Sequence, residues 1–240
     1  MMEPKNIPIF ILAGGRGTRL ASVVNDVPKP LAPVNGKPFL VYLLENYIEQ
    51  GFRKFYFLLH HKANHIIECI DSLKHTILTD CEIHYSIEPT LLGTGGSVAY
   101  TIQSFQFKGD FLIVNADTWV DPISMEELAN SKSPSIGVIF IPDVSRYGKV
   151  TIEEGMIQKF EEKKENAGSG WINAGIYKLN ADLFFEKEGE FSMEKEIFPK
   201  LAFENVLRAI PLDTDFIDIG IPEDYKRFQN WIISGRENKL

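Results

Sequence analysis

Lys29 stands between Pro28 and Pro30, and that placement gives it a capacity for chemistry that most lysines in the chain lack. Each proline fixes its own φ and restricts the residue before it, so the lysine sits on a stiff, extended backbone. A rigidly mounted ammonium suits a fixed negative partner such as a phosphate oxygen. The same segment also reads as a surface lysine in a proline-rich loop. Upstream, Gly14-Gly15-Arg16-Gly17-Thr18-Arg19 follows Leu12 and Ala13. Glycines let backbone approach a ligand, amides at a helix start can meet phosphate oxygens, and Arg16 and Arg19 add guanidinium donors. The turn has neither the G-x-x-x-x-G-K-[ST] spacing of a P-loop nor the G-x-G-x-x-G dinucleotide fingerprint. A tight turn with solvated arginines is its plain alternative.

Two aspartates stand among apolar neighbours. Asp117 follows the run Phe111-Leu112-Ile113-Val114, and Asp218 lies between Ile217 and Ile219. A carboxylate in such a setting is costly unless it is paired or bound to a cation. Magnesium takes oxygen ligands, commonly one or two carboxylates together with substrate phosphates. Both residues are therefore candidate Mg²⁺ ligands. They are equally readable as helix caps, Asp117 near Asp121 and Pro122, Asp218 ahead of a helix at Pro222. They lie far apart in the chain, and the sequence does not say whether they meet. A second glycine-rich stretch, Gly93-Thr94-Gly95-Gly96, follows Glu88. Its backbone and the Thr94 hydroxyl suit a base or ribose, or a plain strand-to-helix turn. His61 and His65 are four apart, but there is no HExxH and no carboxylate at ligand spacing, so they read as ordinary histidines.

The elements that must hold these residues alternate. Strands are expected at Ile9–Leu12, Lys54–Leu59, Glu82–Ile87 and Asp110–Val114. Helices fall between or beside them at Thr18–Val24, Phe39–Gln50, Ala63–Leu73 and Ser97–Phe105. Along Glu82–Ile87, Ile83, Tyr85 and Ile87 alternate as one face. Such alternation implies a doubly wound sheet whose loops gather at the carboxyl ends of the strands, where the two glycine turns and Asp117 fall. From Ser135 the rhythm changes to closely spaced strands at Ile136–Ile141, Lys149–Thr151, Met156–Glu161 and Trp171–Lys178, which suggest antiparallel hairpins. Glu153-Glu154-Gly155 marks one hairpin turn. A helix over Glu194–Phe203, strands at Val206–Ile210 and Phe216–Gly220, and a helix over Pro222–Ile233 complete the chain.

The fold expectation is an α/β, Rossmann-like three-layer sandwich with a mainly parallel mixed sheet and a small antiparallel excursion. A single domain over 1–240 is expected, with residues 5–134 forming one half and 135–234 the other. A length of 240 residues allows that size. The net charge of -8 argues against a general nucleic-acid binder, which needs a basic face, but leaves a locally cationic pocket possible. No apolar run approaches a membrane span. Two cysteines, Cys69 and Cys81, fit no metal spacing and are expected as free thiols in the cytoplasm.

LAGGRGTRL followed by PKPLAPVNGKP resembles the signature of the sugar nucleotidyltransferases, which join a nucleoside triphosphate to a sugar 1-phosphate and release pyrophosphate. LLGTGGS, NADT, FEEK, NAGIY, EKEIFP and FIDIG follow in that family's order, so the resemblance spans nearly the whole chain. Within the family it runs first to guanylyltransferases of heptose 1-phosphate and next to those of mannose 1-phosphate. It implies GTP as the favoured nucleotide, a sugar 1-phosphate partner, Mg²⁺ as cofactor, no nucleic acid or membrane, and room for a homo-oligomer.

By this resemblance Arg19, Lys29 and Asp117 are catalytic, and Asp117 and Asp218 hold the metal. Leu12, Ala13, Gly14, Gly15, Arg16, Gly17, Thr18, Arg19, Lys29, Glu88, Gly93, Thr94, Gly95 and Asp117 bind the nucleotide. Glu162, Lys163, Asn173, Gly175 and Lys195 bind the sugar phosphate, where a carboxylate and an amide suit paired hydroxyls and a lysine suits the phosphate. The chain departs from the family at Ala116, where a glycine is usual, and at Lys164, where a proline is usual. Lys195 also reads as a solvated helix lysine.

Overall fold

The computed structural model describes residues 6–15, 17, 20, 23–24, 27–120, 122–161 and 168–235. Along the chain, β1 (Ile9–Leu12), β2 (Pro33–Val34), β3 (Lys37–Pro38), α1 (Phe39–Glu49), β4 (Lys54–Leu59), α2 (Ala63–Leu73) and β5 (Glu82–Ile87) come first. Next are α3 (Gly93–Phe105), β6 (Asp110–Asn115), β7 (Thr118–Val120) and α4 (Pro122–Asn130). The strands β8 (Ser135–Ile141), β9 (Lys149–Glu153), β10 (Met156–Glu161) and β11 (Gly170–Asn180) follow. The chain ends with α5 (Phe198–Phe203), β12 (Arg208–Pro211), β13 (Phe216–Asp218) and α6 (Pro222–Ile233). Two compact units interleave in this order. The first comprises Met1–Leu91, Asn115–Pro122 and Asp215–Leu240, the second Leu92–Val114 and Ile123–Thr214.

In the first unit β5, β4 and β1 lie side by side and parallel, with Ile9 opposite Phe55 and Lys54 opposite Glu82. Parallel strands are covered on both faces, and Ile9, Phe10, Ile11, Phe55, Phe57, Leu58 and Leu59 are accordingly fully buried. The expected alternation in β5 does not mark its buried face: Ser86 is buried and Ile87 is 48% exposed. This strand has β4 as its neighbour in this unit, so Ile87 lacks cover on one side. Helix α1 buries Phe39, Leu40, Leu43, Leu44 and Tyr47 completely. A small antiparallel ladder of β7 and β13 sets Asp218 opposite Thr118. Trp119 of that ladder packs 5.6 Å from Phe228 and 5.8 Å from Trp231, and Phe39 lies 5.0 Å from Phe228. Each fully buried side chain of this kind contributes about 1.5–3 kcal/mol, so the ladder rests on a firm aromatic base. Asn46 ties α1 to it by donating to the Val120 carbonyl at 2.9 Å.

In the second unit the strand order is β6-β11-β8-β12-β10-β9. Neighbours run antiparallel except β8 and β12, which are parallel with Arg208 opposite Ser135. The β9–β10 hairpin turns where expected. Glu154 and Gly155 have φ of 50° and 77° there, the paired positive angles that tight hairpins need. Three local readings change. Helix α3 begins at Gly93, ahead of the expected Ser97, because the glycines continue the helix instead of interrupting it. The single helix expected over Glu194–Phe203 is a π-helical turn, Met193–Ile197, followed by α5. Pro199 has no N–H to offer an α-ladder there. Strand β7 and helix α4 carry no strong periodic signal in the sequence. The helix expected over Thr18–Val24 falls largely outside the described residues.

The α/β fold with its mixed sheet thus holds, and the parallel pairings concentrate in the first unit. Among the described residues no helix is long and apolar enough to cross a membrane. Cys69 and Cys81 are free, and burial pushes both thiols up.

Candidate active site

Lys29 opens a single 3₁₀ turn, Lys29–Leu31, capped by Pro28 in extended conformation. Pro30 and Leu31 are buried, so the turn is anchored and the lysine is presented from it. Its side chain is only 9% exposed, with Nζ 2.5 Å from Asp117 Oδ2 and 3.4 Å from Asp218 Oδ1. The sequence left open whether the aspartates meet; in the first unit both face one ammonium.

Three backbone connections explain the convergence. Ala116 N–H donates to the Leu12 carbonyl at 3.1 Å, which places the segment after β6 beside the end of β1. The β7–β13 pairing brings Asp218 level with Thr118, and Ile219 N–H donates to the Asp117 carbonyl at 3.0 Å. The carboxylates are also aimed individually. The Thr118 hydroxyl donates to Asp117 Oδ1 at 3.2 Å, and Gly220 N–H donates to Asp218 Oδ1 at 2.7 Å.

These two carboxylates fit a hard divalent cation, since their oxygens already address one positive charge. Among the described residues no group of three His, Cys, Asp or Glu side chains is set to hold a metal. A magnesium ion here would draw the rest of its shell from phosphate oxygens and water.

The first glycine turn belongs to the same unit. Ala13 N–H donates to the Leu58 carbonyl at 3.0 Å, and Gly14 accepts from His61 N–H at 3.3 Å. A Cβ on Gly14 would lie 3.2 Å from Glu88 Oε1, so buried Glu88 sits directly against the turn. His60 Nδ1 lies 3.1 Å from the Glu88 carbonyl and fixes that side. Among the described residues, nothing lies within 4 Å of where a Cβ on Gly15 would be. Gly17 has φ +62, and a Cβ there would lie 3.0 Å from the Cβ of Lys29. Arg16, Thr18 and Arg19 lie outside the described residues.

The second unit carries the remaining candidates. At the start of α3, Gly95 and Gly96 N–H both donate to the Phe191 carbonyl, at 3.0 and 3.3 Å. A Cβ on Gly93 would lie 2.6 Å from that same carbonyl oxygen. The Thr94 hydroxyl donates to Glu194 Oε2 at 2.6 Å and accepts from Met193 N–H at 3.0 Å. The Ser192 hydroxyl donates to the same Glu194 oxygen at 2.6 Å. Start of helix and π-turn are therefore clamped together, and exposed Lys195 projects from that turn. Asn173 spans a break in β11: its Oδ1 accepts from Gly175 N–H at 2.8 Å and its Nδ2 donates to the Tyr177 hydroxyl at 3.0 Å. Gly175 has φ +72, which makes the break possible. Tyr177 is buried 4.8 Å from Phe198, just after the π-turn, so the NAGIY and EKEIFP segments share one core. Glu162 and Lys163 lie outside the described residues. Their neighbour Glu161 accepts from the Thr151 hydroxyl at 3.3 Å.

Residue-type reasoning passed over Gly220, Thr118 and Phe191. Gly220 carried a faint signal as the last residue of FIDIG. Phe191 carried none, because its carbonyl does the work and backbone acceptors leave no trace in sequence.

A family profile described as nucleotidyl transferase matches residues 8–233. A D-glycero-alpha-D-manno-heptose 1-phosphate guanylyltransferase of Campylobacter jejuni is 37% identical over 226 residues, covering 91% of this chain and 97% of the relative. A protein of the same name from Aneurinibacillus thermoaerophilus is 34% identical, covering 92% and 96%. The crystal structure of HddC from Yersinia pseudotuberculosis complexed with GMP-PN superposes with a TM-score of 0.80 at 34% identity, covering 94% of this chain and 99% of that one.

Proposed function

Because this chain belongs to the nucleotidyl transferase family, we propose that it joins GTP to D-glycero-α-D-manno-heptose 1-phosphate, giving GDP-heptose and pyrophosphate. The observation that carries the reading is the Lys29 ammonium between the Asp117 and Asp218 carboxylates. The two full-length relatives named for this reaction supply the substrates.

A sugar 1-phosphate is ionised at neutral pH, so its oxygen attacks the α-phosphorus of the nucleotide without a general base. The new P–O bond forms as the bond between the α-phosphorus and its bridging oxygen breaks, and pyrophosphate leaves in line. The obstacle is the approach of two polyanions, and catalysis is placement plus charge neutralisation. The Gly14–Gly17 backbone and Arg19 take the β- and γ-phosphates, with Arg16 beside them. Lys29 bridges the α-phosphate and the attacking phosphate, on a backbone stiff enough to keep it there. Asp117 and Asp218 hold Mg²⁺, which when bound supplies charge to neutralise the α-phosphate.

Leu12, Ala13, Thr18, Glu88, Gly93, Thr94 and Gly95 shape the nucleotide's surroundings. Of these, Thr94 and the α3 glycines act through the chain contacts described above. Glu162, Lys163, Asn173, Gly175 and Lys195 serve the sugar phosphate.

The test is a pyrophosphate-release assay crossing GTP, ATP, CTP and UTP with heptose, mannose and glucose 1-phosphates. The expected outcome is strongest turnover with GTP and the heptose phosphate, abolished by EDTA and restored by Mg²⁺. Preference for mannose 1-phosphate would move the sugar assignment, and turnover with a pyrimidine nucleotide would overturn the guanine one.

A further inference from the structure

Lys29 runs between two glycines, and the second has no conformational reason to be one. At its base, Gly17 has a positive φ, which by itself favours glycine. At its tip stands Gly220, whose φ lies outside the left-handed region and is open to other residues. A Cβ there would lie 2.8 Å from Lys29 Nζ and 2.7 Å from Asp218 Oδ1. Real side chains do not approach that closely, and on one side the obstruction is a short carboxylate fixed by its own strand. The N–H of Gly220 meanwhile donates to that Asp218 oxygen at 2.7 Å, the one that faces the ammonium at 3.4 Å.

We propose that Gly220 is a positioning residue, whose amide aims Asp218 and whose missing side chain leaves the space that the Lys29 ammonium fills between Asp218 and Asp117. The ion pairs reward a cation at that point, but they do not make room for it. The geometry stands by itself; its catalytic consequence rests on the transferase reading.

The test is Gly220→Ala in the intact protein, read in two ways. Trace acetylation with acetic anhydride, quantified by peptide mass spectrometry, reports how far Lys29 is shielded. Lys178 is the internal control, since its side chain is only 11% exposed and donates to the Ala129 and Ser131 carbonyls. The expected result is a several-fold rise in Lys29 labelling with Lys178 unchanged. In the assay above, kcat falls about 100-fold, the scale of a small misplacement at a reacting centre, while KM for GTP changes little.

Unchanged Lys29 labelling, or Lys29 and Lys178 rising together, overturns the proposal. If the single variant does not fold, Lys29→Ala combined with Gly220→Ala decides. Partial recovery of the melting temperature supports the steric account, and a double variant as unstable as the single one removes it. A wild-type protein inert with every substrate pair would end the transferase reading and leave the labelling result standing.

Discussion

Two glycine-rich segments of nearly the same composition are put to opposite use. Among the described residues the space around Gly15 is open, and Gly17 leaves room for the stem of Lys29. In the second segment the space is taken: a Cβ on Gly95 would lie 2.1 Å from the Phe191 ring, and one on Gly96 would lie 2.3 Å from the Gly189 carbonyl. In the first segment Gly15 has no described neighbour, while Gly14 and Gly17 lie close to Glu88 and Lys29. The second lets two parts of the chain touch, and its amides are already spent on the Phe191 carbonyl. A glycine-rich stretch therefore says that something comes close, without saying whether that something is a substrate or the protein itself.

The same contrast extends to the polar residues. Lys29, Asp117 and Asp218 make charged contacts with one another at the surface of the first unit, each aspartate being roughly 30% exposed. Thr94, Glu194, Ser192 and Asn173 are bonded within the second unit and hold its backbone in shape. Charged partners can be exchanged for a ligand's charges at modest cost. A hydrogen-bonded network that fixes a helix start or a strand break serves by staying in place.

Breaking the contrast at its charged end should have the largest effect. Lys29→Ala is expected to lower kcat by about 100- to 1,000-fold, the scale of removing one preorganised electrostatic group. Its melting temperature should fall by no more than a few degrees, and near-normal turnover of the purified variant would remove the role given to Lys29. Gly95→Ala comes next and acts on stability. Overpacking against Phe191 should cost about 1–3 kcal/mol in urea unfolding, and Phe191→Ala in the same chain should relieve the overpacking itself. A Gly95→Ala protein of wild-type stability would mean that the second segment is as open as the first. Gly15→Ala sharpens the comparison with the smallest change in stability, within about 0.5 kcal/mol because no described residue stands near the new methyl. Its KM for the nucleotide should nevertheless rise, and an unchanged KM would take the first turn out of the phosphate site.

Much of this was legible beforehand, for identifiable reasons. The buried parallel strands announce themselves as the apolar runs at Ile9–Leu12 and Lys54–Leu59, and the β9–β10 turn as Glu153-Glu154-Gly155. Lys29 is conspicuous because prolines on either side restrict it locally. Glycine is unfavourable inside a helix, so the sequence points to a start for α3 at Ser97 and not at Gly93. Only the Phe191 carbonyl, from a distant stretch, makes the glycines a helix start. The π-turn before α5 escaped because it depends on the capping by Ser192 and on Glu194 joining two hydroxyls, contacts invisible to periodicity.

What the sequence determined by itself was the local chemistry: a stiffly mounted ammonium, aspartates at strand ends among apolar neighbours, and glycines where backbone must come close. Those follow from covalent geometry and from the cost of burying charge, which neighbours along the chain already impose. Tertiary structure alone decided that Asp117 and Asp218 share one cation, because a pairing between distant segments sets Asp218 opposite Thr118, next to Asp117. It also decided which glycines face open space and which face Phe191, since the room beside a residue is set by whatever the fold brings against it.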